Sequence, residues 1–171
     1  SRLTTRDSRI LTNRRIAKNT WEMKLDCDTD VFAAPGQFVN IQVEGCYLRR
    51  PLSVCDAENH VLTLVYKVVG KGTAILSETT TGSSVNLLYP LGNGFDTGCI
   101  RDSDPPERIV LIGGGVGVPP LYGLARRLLK EGHAPELLMG FGAQDEIFYQ
   151  EEFENLGIRV GIATLDGSAG I

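Results

Sequence analysis

Apolar and β-branched residues in the first part of the chain gather at positions 10–16, 21–27, 37–43, 51–55, 61–69 and 84–88. Turn-forming stretches such as Ala34-Pro35-Gly36, Glu58-Asn59 and Thr81-Gly82-Ser83 separate them. Short runs bounded by Gly, Pro and Asn predict β-strands, and six at this spacing predict an antiparallel sheet closed into a barrel. Between the last two runs, residues 72–80 predict a short helix opened by Thr73, whose hydroxyl can cap free N–H groups. That helix would cover one end of the barrel.

The pattern changes after Leu91-Gly92-Asn93-Gly94-Phe95. A polar, proline-bearing stretch at 100–107 leads into strand-like runs at 108–113, 136–141 and 158–164, alternating with helical runs at 120–131 and 145–156. Such alternation predicts a parallel α/β lobe. The expected division is therefore a barrel domain at 1–102 and an α/β domain at 103–171. A doubly wound sheet normally has about five or six parallel strands, so with three the second lobe reads as truncated. No internal repeat or low-complexity segment is visible.

Composition narrows the classes. With 171 residues, 42% apolar and 22% charged, the chain is expected to be an ordinary globular protein. No apolar run nears the roughly 20 residues that span a bilayer, and the polar start Ser1-Arg2-Leu3-Thr4 lacks the hydrophobic centre of a secretory signal. The expectation is cytoplasmic, with no membrane partner. Net charge is −4 and the basic residues are scattered apart from the pairs Arg14-Arg15, Arg49-Arg50 and Arg126-Arg127, so no face suits nucleic acid. Phosphate on a small molecule is the expected anion. Cys27, Cys46, Cys55 and Cys99 are spaced too widely for a zinc knuckle or an iron-sulfur run, and His60 and His133 stand alone. No metal site is predicted.

Two glycine clusters carry the chemistry. Gly113, Gly114, Gly115 and Gly117 follow a strand and precede Pro119-Pro120 and a helix. There, bare N–H groups and the positive end of a helix dipole would converge on a pyrophosphate, with the prolines in the first turn where missing donors cost least. A glycine cluster after a strand is also compatible with a mere tight turn. The second, Gly70-Lys71-Gly72-Thr73, lies at a strand-to-helix junction, where glycines admit close backbone approach and successive N–H groups form an anion nest. Just before it, Tyr66 and Lys67 could flank a cofactor, and Tyr66 reads equally well as a core strand residue.

The motifs Pro35-Gly36-Gln37-Phe38, Arg50-Pro51-Leu52-Ser53-Val54, Val69-Gly70-Lys71-Gly72-Thr73 and the glycine turn, in this order, resemble the ferredoxin reductase superfamily. The strings RRPLSV, YKVVGKGT, LGNGF, GGGVGVPPLYGLA, DEIFYQEEF and TLDGSAG resemble in particular the electron-transfer subunits of class B dihydroorotate dehydrogenases. The resemblance implies a β + α/β fold, a six-stranded antiparallel FAD-binding barrel followed by a parallel NAD-binding lobe. It implies an oxidoreductase subunit that carries electrons from the FMN of a dihydroorotate dehydrogenase catalytic subunit, through a [2Fe-2S] centre and FAD, to NAD⁺ in pyrimidine biosynthesis. The two subunits would form a hetero-oligomer, a heterotetramer, and the cluster's cysteines would lie beyond residue 171.

Residue by residue, the resemblance puts Arg50 near the FAD pyrophosphate and Ser53 near the reactive flavin nitrogen, with Pro51 and Leu52 between. Leu52 replaces the aromatic residue of many relatives, so packing rather than a ring would hold the flavin face. The segment after the second parallel strand would meet the adenosine ribose. It reads Gly142-Ala143-Gln144-Asp145-Glu146, acidic and without a cation, which favours NAD(H) over NADP(H) and marks Asp145; Asp145 could also simply cap a helix. The rival readings are another reductase subunit of the same build, linked to ferredoxin or sulfide, and a flavin- or nucleotide-sensing module without turnover.

Overall fold

The computed structural model describes residues 3–170. Six antiparallel strands form a closed barrel in the order β1-β2-β5-β4-β3-β6: β1 (Thr4–Ala17), β2 (Thr20–Asp26), β3 (Phe38–Ile41), β4 (Arg50–Glu58), β5 (Val61–Lys67) and β6 (Ser84–Leu91). A long, bent β1 closes it. Its first half pairs with β6 from Thr4 opposite Tyr89 to Arg9 opposite Ser84, and after an irregularity between Ile10 and Thr12 its second half pairs with β2. That first half is longer than expected, because its sequence, Thr4-Thr5-Arg6-Asp7-Ser8-Arg9, is almost wholly polar and only Ser8 is buried.

Ile10, Met23, Leu25, Val39, Ile41, Leu62, Leu64, Tyr66 and Leu87 fill the barrel, each at most 1% exposed. The helix α1 (Lys71–Glu78) lays Leu76 into the same core. It starts at Lys71, one residue before the expected span, with Gly70 rather than Thr73 as the capping residue and Thr73 inside the first turn. Asn13 on β1 donates to the carbonyls of Leu76 and Thr79 at 2.9 and 3.0 Å, satisfying the C-terminal end of α1.

The second lobe is a parallel sheet of β7 (Val110–Gly114), β8 (Glu136–Phe141) and β9 (Arg159–Thr164), with α2 (Pro119–Lys130) and α3 (Gln150–Asn155) packed on it. The helix expected over 145–156 is broken: a 3₁₀ turn at Gln144–Glu146 is followed by Tyr149 in the left-handed region (φ 64°), and α3 begins only at Gln150. Burial explains the break, since that backbone sets the Tyr149 ring edge-on to Tyr122 at 5.5 Å and sends its hydroxyl to the buried Glu22 of β2.

The two lobes share one core. Cys55 and Val65, on the barrel wall, belong to the cluster built from Leu111, Leu121, Leu124, Leu137 and Phe153. At Gly123 a Cβ would stand 3.0 Å from the Cys55 carbonyl oxygen, so the glycine lets α2 lie close against β4. Arg126 of α2 reinforces the contact with two hydrogen bonds to Asp56, at 2.6 and 2.8 Å, and one to Glu58.

Candidate functional site

Arg50 opens β4, and its guanidinium lies over the first turn of α1. A Cβ on Gly72 would stand 2.6 Å from Arg50 Nε and 2.9 Å from its central carbon, so only glycine leaves room for this approach. The guanidinium also donates to the Leu48 carbonyl at 2.5 Å. Its neighbour Arg49 is spent on structure, donating to the carbonyls of Asn40 and Asn86 and to the Asn86 side chain. Thr73 Oγ accepts the N–H groups of Val69 and Gly70, fixing the turn. The N–H groups of Lys71, Gly72 and Thr73, the first of the helix, have no intrahelical acceptor. A forked cation and a helix N-terminus thus converge at the barrel rim, a donor set that suits a pyrophosphate. Along β4, Pro51 and Ser53 are exposed and Leu52 is half-buried against the barrel core, with Ser53 opposite Phe38 of β3.

The second feature is a cavity of about 430 Å³ between the lobes, at the carboxyl ends of β7, β8 and β9. Gly114, Gly115, Gly140, Phe141, Thr164 and Leu165 line it from the sheet, Thr20 and Lys67 from the barrel. In open parallel α/β sheets this end is where ligands bind. The glycines of the turn divide their work. Gly115, at φ +51°, needs the freedom of glycine, and a Cβ on Gly113 would come within 2.7 Å of the Leu121 side chain, so Gly113 serves strand-to-helix packing. Gly117 has open space around it, leaving its backbone approachable.

Two expected site residues are placed elsewhere. Tyr66 is 1% exposed inside the barrel, and its hydroxyl donates to Asn13 Oδ1 at 2.9 Å. Its side chain is part of the barrel core, and burial pushes its hydroxyl pKa up. Asp145 does not line the cavity. It pairs with Lys18 of the barrel at 3.6 Å, and the Lys18 N–H donates to its carbonyl at 2.9 Å.

The carboxylate that does line the cavity is Glu146, which the sequence reading passed over in favour of its neighbour. Lys67 Nζ donates to Glu146 Oε1 at 2.8 Å, and this bond is the main cause holding the Glu146 carboxyl below the usual range. The fold therefore opposes the acidic segment with two lysines distant in sequence. Arg126 is engaged by Asp56 and Glu58, and Arg127 by Glu131 at 2.6 Å.

With its closed barrel, parallel lobe and these two cradles, the chain has the ferredoxin reductase-like fold. Among solved structures, it superposes on a cytochrome P450 reductase from Amycolatopsis with a TM-score of 0.82 at 26% identity, covering 95% of this chain and 52% of that one. An NADH-dependent reduced ferredoxin-NADP oxidoreductase matches with a TM-score of 0.81 at 31% identity, covering 96% and 58%. In sequence the chain is a homologue of the electron transfer subunits of dihydroorotate dehydrogenase B (NAD(+)). The subunit from Bacillus pumilus is 40% identical over 167 residues, 94% of this chain. The chain spans 63% of that relative's length. No family model matches.

Proposed function

We propose that the chain is the flavin- and nicotinamide-binding part of a dihydroorotate dehydrogenase B electron transfer subunit. In this reading residues 1–102 hold FAD and residues 103–171 begin the NAD(H) lobe. The observation that carries it is the convergence of Arg50 on the first turn of α1 over Gly72, a cradle for a pyrophosphate, which FAD has and FMN lacks. Bound there, the flavin would accept and pass on electrons as a hydride or singly. The residues around it have simpler tasks. Arg50 and the N–H groups of Lys71, Gly72 and Thr73 bind the diphosphate, and Pro51 and Leu52 shape the wall beside it. Ser53 presents a hydroxyl to the reacting end. Gly114, Gly115 and Gly117 accept the nicotinamide dinucleotide at the mouth of the inter-lobe cavity, beside Lys67.

Electrons would come from the FMN of a catalytic partner subunit, in a hetero-oligomer. The cysteines here do not fit a [2Fe-2S] centre: Cys27 and Cys55 are buried, Cys46 and Cys99 more open, and no group of three metal-ligating side chains occurs among the described residues. None of these cysteines would hold that centre. The protein works by orientation, and no side-chain acid or base is needed.

Release and chromatography of the flavin from the full-length protein test the reading: FAD is expected, and FMN alone or no flavin after reconstitution would overturn it. The 31% identity to a ferredoxin-linked enzyme favours a second reading, a ferredoxin-linked reductase subunit. Flavin bleaching by dihydroorotate through the partner, against bleaching by reduced ferredoxin, separates the two.

A further inference from the structure

Among the described residues, Lys67 and Glu146 are the only charged ones that line the inter-lobe cavity, and they are bound to each other. They come from different lobes, Lys67 from the end of β5 and Glu146 from the turn after β8. Their bond closes the barrel against the nucleotide lobe at the side of the cavity. The carboxylate is seated with care. A Cβ on Gly142 would lie 2.2 Å from Glu146 Oε2, so the absence of a side chain at the end of β8 makes the space that the carboxylate fills.

An anion thus sits at the carboxyl end of a parallel strand, against an ammonium group. The same cavity is lined by Gly114 and Gly115, where the dinucleotide's diphosphate is expected. Both partners keep access to solvent, the side chains being 38% and 22% exposed, so the pair can exchange partners at little cost. The remainder of the turn is tied down independently, by the Lys18 N–H to the Asp145 carbonyl and the Lys18–Asp145 pair. Opening therefore requires only rotation of the Glu146 side chain.

We infer that Glu146 is a resident counter-ion for Lys67 that the phosphate of an incoming nicotinamide dinucleotide displaces, which makes the pair a latch on nucleotide affinity. The inference rests on the reading of this cavity as the nucleotide site. When the site is empty, the carboxylate neutralises the lysine and holds the lobes together. When nucleotide enters, Lys67 transfers to the ligand, and breaking the pair is subtracted from the binding free energy.

The latch predicts that removing the carboxylate tightens binding, the opposite of what a residue contacting the ligand would do. The test is titration of the flavin-loaded, full-length protein with NAD⁺ by isothermal calorimetry, at low and at raised salt. Glu146→Gln should lower Kd about two- to fivefold at low salt, in keeping with a partly exposed ion pair, and the gain should shrink as salt screens both interactions. Lys67→Gln should weaken binding, and in that background Glu146→Gln should change nothing. Unchanged or weaker binding by Glu146→Gln, with circular dichroism matching the wild type, overturns the latch. If that variant misfolds, Glu146→Asp, which withdraws the carboxylate by one methylene, must tighten binding in the same sense or the latch fails. A wild-type protein that binds NAD⁺ while the variants fail to tighten it leaves the cavity reading standing; one that binds no NAD⁺ removes both.

Discussion

Gly72→Ala separates cofactor binding from folding more cleanly than any substitution of a charged residue here. The added methyl would lie 2.6, 2.8 and 2.9 Å from three atoms of the Arg50 guanidinium, distances at which one group must move. The group that yields is the free end of a flexible side chain, so the backbone need not shift. The helix itself gains, because alanine is favoured over glycine in a helix by up to about 1 kcal/mol. The apoprotein should therefore melt within about 3 °C of the wild type. FAD binding bears the loss. Displacing Arg50 removes a charge-assisted hydrogen bond to phosphate, about 1.5–3 kcal/mol, and thus weakens FAD roughly 10- to 150-fold. Flavin fluorescence quenching on titration of apoprotein gives the Kd, and circular dichroism gives the melt. Wild-type FAD affinity in the variant would refute the cradle, and a Tm lowered by far more than about 3 °C would show that the methyl damages the fold instead.

Ser53→Ala should slow hydride exchange between NADH and flavin by about 1–3 kcal/mol while leaving FAD bound; stopped-flow bleaching of the flavin follows it, and unchanged rates at full flavin content would take Ser53 out of the site. Tyr149→Phe removes a donor from Glu22, which is 3% exposed and, among the described residues, then keeps only the hydrogen bond from Arg14, at 3.0 Å. Urea unfolding should show a loss of about 1–3 kcal/mol, and a neutral result would mean that Glu22 has no need of the hydroxyl. Glu136 is held below its usual pKa first by its hydrogen bond from Arg108, at 2.7 Å, so its contribution is present above the ordinary carboxylate pKa and lost as pH falls through the lowered one. The Tm of Glu136→Gln should accordingly fall less steeply than that of the wild type on acidification below about pH 4.5; parallel curves would contradict it.

The barrel was legible in the sequence because its strands are short apolar runs set off by turn residues, and where a strand lacks apolar residues the reading stopped short for a physical reason. The polar first half of β1 is ordered by its ladder to β6, and its side chains carry no hydrophobic signal of it. β5 looks like a continuous apolar run because one of its faces fills the barrel while Val65, on the other, packs into the second lobe's core. The interruption before α3 came from tertiary contacts of Tyr149 that no local propensity encodes.

The site divides along the same line. Residues proposed to act through their own chemistry, such as Arg50 and the glycines of the turn after β7, could be picked out from the string. Those that act through a partner could not, because pairing is a property of the fold. Tyr66 seemed as fit for a cofactor as for a core until the barrel closed over it and gave its hydroxyl to Asn13, the residue that also holds the end of α1. The acidic turn after β8 argued for NAD(H) by its lack of a cation, yet Lys18 and Lys67 lie 127 and 79 positions before Asp145 and Glu146 and meet them across the lobe boundary. Discrimination against a 2′-phosphate therefore cannot rest on uncompensated charge in that turn. It depends on whether a ligand can draw Lys67 away from Glu146, and a second phosphate on the ribose would compete for the same lysine as the diphosphate does. The contrast between NADH and NADPH and the strength of the Lys67–Glu146 pair are on this argument coupled quantities, and a substitution that weakens the pair should narrow the preference for NADH as it tightens binding of both.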